Sequence, residues 1–318
     1  MHTITKPKIV TISVIIVSWN AKDFLNECLE SLNSATWDFP LEIIVVDNAS
    51  ADGSPELVAA KFPHVRLIQS GSNLGFSKAN NLGIKQCKGE YICLINSDVK
   101  VLPGSITTLV DYMESNIEVG IAGPSMLDAR GQIGRSCRGF PNVWNMFCHA
   151  LALDSLFPKS KLFGGYILRY WPQNSTREVG ILGGWFWIVR REALDQVGLL
   201  DENFFFYAED MDWCKRFHLG KWKVMFVASA SSIHYGGGSS KQAPLKYYIQ
   251  QQRADLQYWR KHHTIAGRVT YFGTCLLYHV TRLVGNGIPA LFSGRNSPRR
   301  AKAALSWQCL LWYLGGAK

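Results

Sequence analysis

No two of the eight cysteines stand in a C-x-x-C pair, and they are scattered from Cys28 to Cys309. A zinc knuckle and a disulfide framework are therefore excluded, and a reducing compartment is the simplest expectation. Nor does any stretch reach the ~18–20 uninterrupted apolar residues of a membrane-spanning helix. Residues 271–292 are broken by His279, Arg282, Asn286 and Pro289, and residues 303–314 are too few. The apolar stretch over 9–19 follows Lys6 and Lys8 but lacks a small-residue cleavage site, so residues 12–18 are predicted to be a buried strand and not part of a signal peptide. Internal repeats and low-complexity segments are absent. Acidic residues are scarce at one end: residues 241–318 carry twelve basic side chains and a single acid, Asp255, a charge of +11, whereas residues 1–240 come to −1. The 318-residue chain, 47% apolar and 18% charged, reads as a near-neutral body followed by a basic extension attracted to a polyanion.

What the body has is a repeated alternation of short β-branched runs with amphipathic stretches. Ser13-Val14-Ile15-Ile16-Val17 is followed by residues 22–35, where Phe24, Leu25, Cys28, Leu29 and Leu32 recur at helical spacing, and then by Glu42-Ile43-Ile44-Val45-Val46. Strand, helix and strand in such close succession form a βαβ unit with a right-handed crossover. The pattern continues with strands over 65–69, 91–95 and 119–122 and helices over 77–87 and 105–115. It predicts an α/β, Rossmann-like fold: a mostly parallel sheet with helices on both faces, binding ligands beyond the carboxyl ends of its strands. Asp47 and Asn96-Ser97-Asp98 fall at such ends. From Pro124 to Gly180 the rhythm is lost, and this segment is read as an irregular excursion over the active face. Regular structure resumes with a strand over 185–189, helices over 191–197 and 209–219, and a strand through Trp222, Val224 and Phe226, ahead of His234 and Gly236-Gly237-Gly238.

Several stretches carry chemistry-bearing side chains in patterns that such a sheet uses. Alternate residues of Asn96-Ser97-Asp98 point the same way, so Asn96 and Asp98 either face a divalent cation held with diphosphate oxygens or form a plain turn. Asp47 leaves its strand where an acid accepts hydrogen bonds from a ribose or a base, with Ser54 before Pro55 as a helix cap. Asn73-Leu74-Gly75 enters a helix through a glycine turn whose N–H groups, with Lys78, suit a phosphate. The densest cluster is Phe204-Phe205-Phe206-Tyr207-Ala208-Glu209-Asp210-Met211-Asp212. Acids at a helix start suit the helix dipole, but the four aromatic residues ahead of them imply a partly dehydrated setting, in which one carboxylate serves as general base. His234 reads either as a structural histidine or as a ligand, and the glycines after it, with Lys241, suit closure over a diphosphate.

Taken in order, Val14-Ile15-Ile16-Val17-Ser18-Trp19-Asn20, Val45-Val46-Asp47-Asn48-Ala49-Ser50, Asn73-Leu74-Gly75-Phe76, Leu94-Ile95-Asn96-Ser97-Asp98, Gly183-Gly184-Trp185-Phe186, Tyr207-Ala208-Glu209-Asp210-Met211-Asp212 and His234 resemble a known family. It is the inverting, GT-A-type glycosyltransferases of family 2, and within it the bacterial rhamnosyltransferase-like branch. The resemblance implies a GT-A catalytic domain over 1–240 that moves a sugar from a nucleoside-diphosphate sugar to a hydroxyl of a lipid-linked or polysaccharide acceptor in cell-envelope glycan synthesis. The branch points to rhamnose from dTDP-rhamnose, with UDP-glucose or UDP-galactose as the alternative. By the same resemblance Asp47 contacts the base or ribose, with Asn48, Asn73, Lys78 and Asn96 on the donor side. Asp98 and His234 hold Mg²⁺ or Mn²⁺, Asp210 is the catalytic base with Glu209 beside it, Asp212 is supporting, and Gly184 and Trp185 line the acceptor pocket. Asn96 stands where many members carry Asp, so a water-mediated or ribose contact is expected of it.

The extension over 241–318 interleaves Tyr247, Tyr248, Tyr258, Trp259, Trp307, Trp312 and Tyr313 with its cations. It reads either as an amphipathic helix on an anionic lipid surface, each cation contributing about 1 kcal/mol, or as a helical subdomain with a solvated basic face. A lipid-linked acceptor favours peripheral association with the inner face of the cytoplasmic membrane. A nucleotidyltransferase is disfavoured, since Val17-Ser18-Trp19-Asn20-Ala21-Lys22 offers no glycine- and Arg/Lys-rich phosphate loop. A non-enzymatic polyanion binder leaves Asp98 and Glu209-Asp210 idle, and no nucleic-acid partner is expected.

Overall fold

The alternation of apolar runs and amphipathic stretches becomes β1 (Ile12–Ser18), α1 (Lys22–Asn33), β2 (Leu41–Asp47), α2 (Ser54–Lys61), β3 (Arg66–Gln69), α3 (Gly75–Ile84) and β4 (Tyr91–Asn96). This computed structural model describes residues 10–236, 244–292, 294 and 297–317. The chain continues through β5 (Val99–Val101), α4 (Ser105–Ser115), β6 (Val119–Leu127), β7 (Cys137–Arg138), α5 (Val143–Ala150), α6 (Leu153–Leu156), β8 (Arg177–Glu178), β9 (Ile181–Leu182), β10 (Phe186–Arg190), α7 (Arg191–Val197), α8 (Glu209–Leu219) and β11 (Lys223–His234). The main sheet has the order β3-β2-β1-β4-β10-β6-β11-β5, with β8 added on β11. The strands β1, β2, β3, β4, β6 and β11 run one way, and β10, β5 and β8 run against them. It is a mixed α/β fold with a mostly parallel sheet.

Side-chain alternation along the strands builds a core on each face. On one face Val14 and Ile16 of β1 join Leu25, Cys28, Leu29 and Leu32 of α1 and Ile106 and Leu109 of α4. On the other, Ile15 and Val46 meet α3, where a side chain at Gly83 would lie 2.6 Å from Ile15 Cγ2, so a bare glycine lets the helix approach. Trp187 of β10 packs against Trp213 of α8 with ring centroids 5.3 Å apart.

Four features depart from the sequence expectations. The strand predicted over 185–189 exists as β10, but it runs antiparallel between β4 and β6, because the chain re-enters the sheet at the carboxyl edge where it left β6. The strand predicted over 119–122 continues to Leu127. Pro124 is tolerated there since the register with β10 covers only Ile121 and Ala122, leaving Pro124 opposite Val227 of β11. β11 likewise runs on to His234, with a register shift between Val227 and Ser231 that marks a bulge. The excursion itself is not wholly irregular: Asn142 caps α5 in a reciprocal box with Asn145.

The described residues divide into two compact units. One holds the main sheet. The other holds Arg138–Pro172 together with the C-terminal helices, so the division is not a single cut at residue 240. The helices are α9 (Pro244–His262), α10 (Ile265–Leu291) and α11 (Pro298–Leu314). Their interior takes aromatic residues that the sequence left between a lipid-facing surface and a packed helical subdomain: Tyr258, Trp259 and Tyr313 are buried. Trp259 stacks on Tyr271 with centroids 4.3 Å apart, and the Tyr313 hydroxyl donates to Gln252 Oε1 at 2.9 Å. Among the described residues no helix is long and apolar enough to cross a membrane.

Candidate active site

Because β1, β2 and β4 are parallel, their carboxyl ends meet at one edge, with Ser18 beside Asp47 and Val17 beside Asn96. Asp47 is only 3% exposed. Its Oδ2 accepts the Ser50 N–H at 3.2 Å, while its buried Oδ1, like the buried Ser18 Oγ, has no hydrogen-bond partner. Buried polar atoms are nearly always satisfied, so this pair of orphans calls for a hydrogen-bonding partner from outside the chain, a water or a ligand group. Asn96 is partly exposed at the tip of β4, where its N–H donates to the Trp185 carbonyl at 3.0 Å.

The loop after β3 behaves differently from the expectation. Asn48 Oδ1 accepts the Leu74 N–H at 2.8 Å, Asn73 Oδ1 accepts the Gly75 N–H at 3.0 Å, and the Phe76 N–H donates to the Phe205 carbonyl at 2.7 Å. Asn48 Nδ2 also donates to Asn73 Oδ1 at 3.0 Å. The N–H groups expected to meet a phosphate are thus engaged within the protein, and Asn48 and Asn73 lock the loop. Lys78 is exposed on α3.

Asp98 and His234 come together across β5 and β11, where His234 pairs with Val99. His234 Nε2 lies 3.2 Å from Asp98 Oδ1, and the Tyr235 N–H donates to the Asp98 carbonyl at 3.0 Å. Trp185 lies flat on the His234 ring, with centroids 5.5 Å apart and planes 14° apart. Next to it, a side chain at Gly184 would fall 3.6 Å from Asp210 Cβ and 3.1 Å from the Trp187 ring. Asp98, His234 and Trp185 are therefore in contact, and Gly184, the residue before Trp185, lies close to the first turn of α8 that carries Asp210. One oxygen and one imidazole nitrogen suit a divalent ion that keeps water and diphosphate oxygens as its remaining ligands. No group of three or more His, Cys, Asp or Glu capable of holding a metal occurs among the described residues.

Asp210 sits in the first turn of α8, buried, its Oδ1 accepting the Met211 N–H at 2.8 Å. Glu209 is buried beside it. Asp212, 0% exposed, is held by Arg216 Nε at 2.9 Å, and Arg216 also donates to the carbonyls of Val197 and Leu199. This pair fixes the helix, consistent with different roles for neighbouring acids. Tyr207 and Ala208 enter α8 with φ of 73° and 64°, two successive side-chain-bearing residues in the left-handed region. Strain of this kind persists where the surroundings over-determine it, and it clusters at functional sites.

Sequence reasoning missed a support behind His234. The Tyr235 hydroxyl donates to Glu27 Oε1 at 2.7 Å, Lys100 pairs with the same oxygen at 3.1 Å, and the Tyr235 ring leans on Phe24. The Glu27 hydrogen bond, aided by burial, pushes the Tyr235 phenol up to about 12. The one signal was adjacency, a tyrosine directly after the histidine. The loop expected to close over a diphosphate, Gly236 to Lys241, lies outside the described residues beyond Gly236.

The model of the Glycosyl transferase family 2 matches residues 13–198. The chain belongs to this family. It is 30% identical over 262 residues to the N-acetylglucosaminyl-diphospho-decaprenol L-rhamnosyltransferase of Mycobacterium tuberculosis, covering 79% of this chain and 84% of the relative. It is 24% identical over 266 residues to the rhamnosyltransferase WbbL of Escherichia coli, covering 80% and 95%. Among solved structures, the mannosyltransferase PcManGT from Pyrobaculum calidifontis, in complex with GDP-Man and Mn²⁺, matches with a TM-score of 0.55 at 17% identity over 96% of this chain and 85% of that one. This family 2 chain shares its fold with GT-A glycosyltransferases, and it is a glycosyltransferase.

Proposed function

We propose that this glycosyltransferase is metal-dependent and inverting, and that it moves rhamnose from dTDP-rhamnose to a hydroxyl of a lipid-linked saccharide used in the cell envelope. The observation that carries the reading is the Asp98–His234 pair against Trp185, whose neighbour Gly184 lies close to the turn of α8 bearing Asp210. The names of the Mycobacterium tuberculosis and Escherichia coli relatives support the sugar, and the first also supports a polyprenyl-diphosphate acceptor.

In this reading the orphaned Asp47 Oδ1 accepts a hydrogen bond from the nucleoside, and the Asn48–Asn73 lock keeps the neighbouring loop in place. Asp98 and His234 hold Mg²⁺ or Mn²⁺, which offsets charge on the departing diphosphate when bound. Asp210 takes the proton of the acceptor hydroxyl as that oxygen attacks the anomeric carbon, and the aromatic surroundings of α8 exclude competing water. Gly184 carries no side chain that would crowd Trp187 beside Asp210, a Cβ there falling 3.1 Å from the Trp187 ring. The lipid tail of such an acceptor calls for attachment to the inner face of the cytoplasmic membrane, which the basic helices support.

A thermal-shift screen of nucleoside-diphosphate sugars, each with and without Mn²⁺, tests the proposal, because a donor that binds the folded state raises its melting temperature. dTDP-rhamnose with Mn²⁺ is expected to stabilise most. A larger shift with UDP-glucose or UDP-galactose would replace the sugar and keep the chemistry, and equal shifts with and without metal would remove the metal.

A further inference from the structure

Charge and exposed apolar surface both concentrate in the unit formed by Arg138–Pro172 and the C-terminal helices. Residues 138–172 and 243–318 contain fifteen basic and two acidic side chains, a charge of +13, while the rest of the chain comes to −3. Of the nineteen exposed large hydrophobic residues among the described residues, fifteen belong to the same unit. Cations mixed with exposed apolar side chains are the composition of a surface that rests on an anionic bilayer.

Within that unit one patch is contiguous and built. Val143, Trp144 and Phe147 share the outer face of α5. Trp144 stacks on Phe147 with centroids 6.3 Å apart and also meets Phe163 at 6.3 Å, and Phe163 meets Phe157 at 5.3 Å. The Trp144 indole N–H donates to the Leu162 carbonyl at 3.0 Å, which ties the loop after α6 back onto α5. The rings are thus held in place and still exposed: Trp144 by 48%, Phe157 by 52%, with Leu162 at 63%. Lys159 and Lys161 stand exposed on the same loop. The single acid of residues 138–172, Asp154, is buried and already met by His149 Nδ1 at 3.0 Å and Arg169 Nε at 3.5 Å.

We infer that this aromatic patch, with Lys159 and Lys161, is the element that inserts into the headgroup region of an anionic membrane. The inference deepens the membrane-attached reading above and rests on it. Trp and Phe suit the interface depth, and the two lysines suit anionic headgroups. A second copy of the chain fits poorly, because an isologous contact would bring two like-charged patches together, and residues 138–172 offer no exposed acid to pair with these lysines. Of the aromatic residues of the C-terminal helices, Tyr258, Trp259 and Tyr313 are buried, while Trp307 is exposed by 51%.

Co-sedimentation of the full chain with vesicles of phosphatidylcholine plus phosphatidylglycerol, against phosphatidylcholine alone, tests the patch. The unmodified chain is expected to bind the anionic vesicles. The double substitution Trp144→Ser with Phe147→Ser, and independently Leu162→Glu, should each weaken that binding roughly tenfold or more. Lys159→Glu with Lys161→Glu should weaken it at low salt by roughly fivefold per lysine. Circular dichroism melting checks that each variant folds. Calorimetric binding of dTDP with Mn²⁺, which needs no lipid, should be unchanged, so failure of the transferase reading is seen separately from failure of the patch. Vesicle binding that survives all three variants would move the contact to another face, such as the outer stripe of α10. No vesicle binding at all, or a dimer abolished by Trp144→Ser, would overturn the inference.

Discussion

His234 sits opposite Val99 in the β5–β11 pairing, and that register brings its Nε2 to 3.2 Å from Asp98 Oδ1. Neither residue could be moved by one position without losing the contact, since a one-residue slip turns a strand side chain to the other face. Trp185 and Tyr235 hold the arrangement from two sides.

The first prediction follows from that pairing. Asp98→Ala and His234→Ala should each weaken Mn²⁺-dependent donor binding by roughly 10–100-fold, while metal-free binding of the nucleoside portion stays within error. Calorimetry with and without Mn²⁺ reads both quantities. Retention of full metal dependence in both variants would remove these residues from the ion.

The second concerns two acids two residues apart on α8. Asp210→Asn should lower turnover by about 10²–10⁴-fold with donor affinity kept, because the isosteric amide cannot accept the proton. Asp212→Ala should instead act on the fold: it leaves the Arg216 guanidinium without its 2.9 Å partner, at a cost on the order of 3 kcal/mol in denaturant unfolding. If Asp212→Ala abolished turnover at unchanged stability, the roles of the two acids would have to be exchanged.

How far this site was legible in the sequence depends on the kind of interaction that makes it. Strand tips were legible, because β-branched runs ending in Asp47 or Asn96-Ser97-Asp98 announce both the strand and its end. α4 and α8 were legible to the residue, each set off by a clear change of pattern. The antiparallel insertion of β10 was not, since periodicity reports a strand and is silent on its direction. The length of β11 was hidden by Ala228, Ser229 and Ala230, small residues that look like a loop and form a bulge. Asn48 and Asn73 were placed on the donor side by the family resemblance, and only the structure shows their amides turned on one another. The aromatic tail was left between two readings because a buried and an interfacial aromatic have the same spacing on a helix.

The third prediction tests the loop lock. Gly75 has φ of 78°, and a side chain there would come within 2.4 Å of the Phe205 carbonyl oxygen, a backbone atom that cannot swing aside. Gly75→Ala should therefore cost about 1–3 kcal/mol from the left-handed conformation alone. Because the Phe76 N–H bonds that same carbonyl, the strain should also reach the segment leading into α8 and lower turnover. Denaturant unfolding and steady-state rates measured on the same protein separate the two effects; a variant as stable and active as the parent would show that the close approach is dispensable.

The last prediction is a pH dependence in the helical unit. Burial, reinforced by the charge of Arg282, pushes His279 from its ordinary value of 6.5 down to about 4. The ring is enclosed by Tyr248, Tyr278 and Tyr313, its Nδ1 has no hydrogen-bond partner, and its Nε2 lies 3.4 Å from Gln252 Oε1. Between pH 6.5 and about 4 the unfolded chain binds a proton at this residue that the folded chain does not, so stability rises with pH across the window and falls as the solution is acidified. Asp154 contributes in a different range. Burial alone would raise its carboxyl, but the hydrogen bond from His149 and the charges of His149 and Arg169 hold it below its ordinary 3.8, so its share is lost only on stronger acidification. His279→Phe keeps an aromatic ring among the tyrosines and removes the titrating group, and Gln252 retains its bond from the Tyr313 hydroxyl at 2.9 Å. Melting temperatures of parent and variant should therefore diverge as pH drops from 7.5 towards 5, with the variant losing less. Parallel losses in the two proteins would mean that His279 is not the group being titrated.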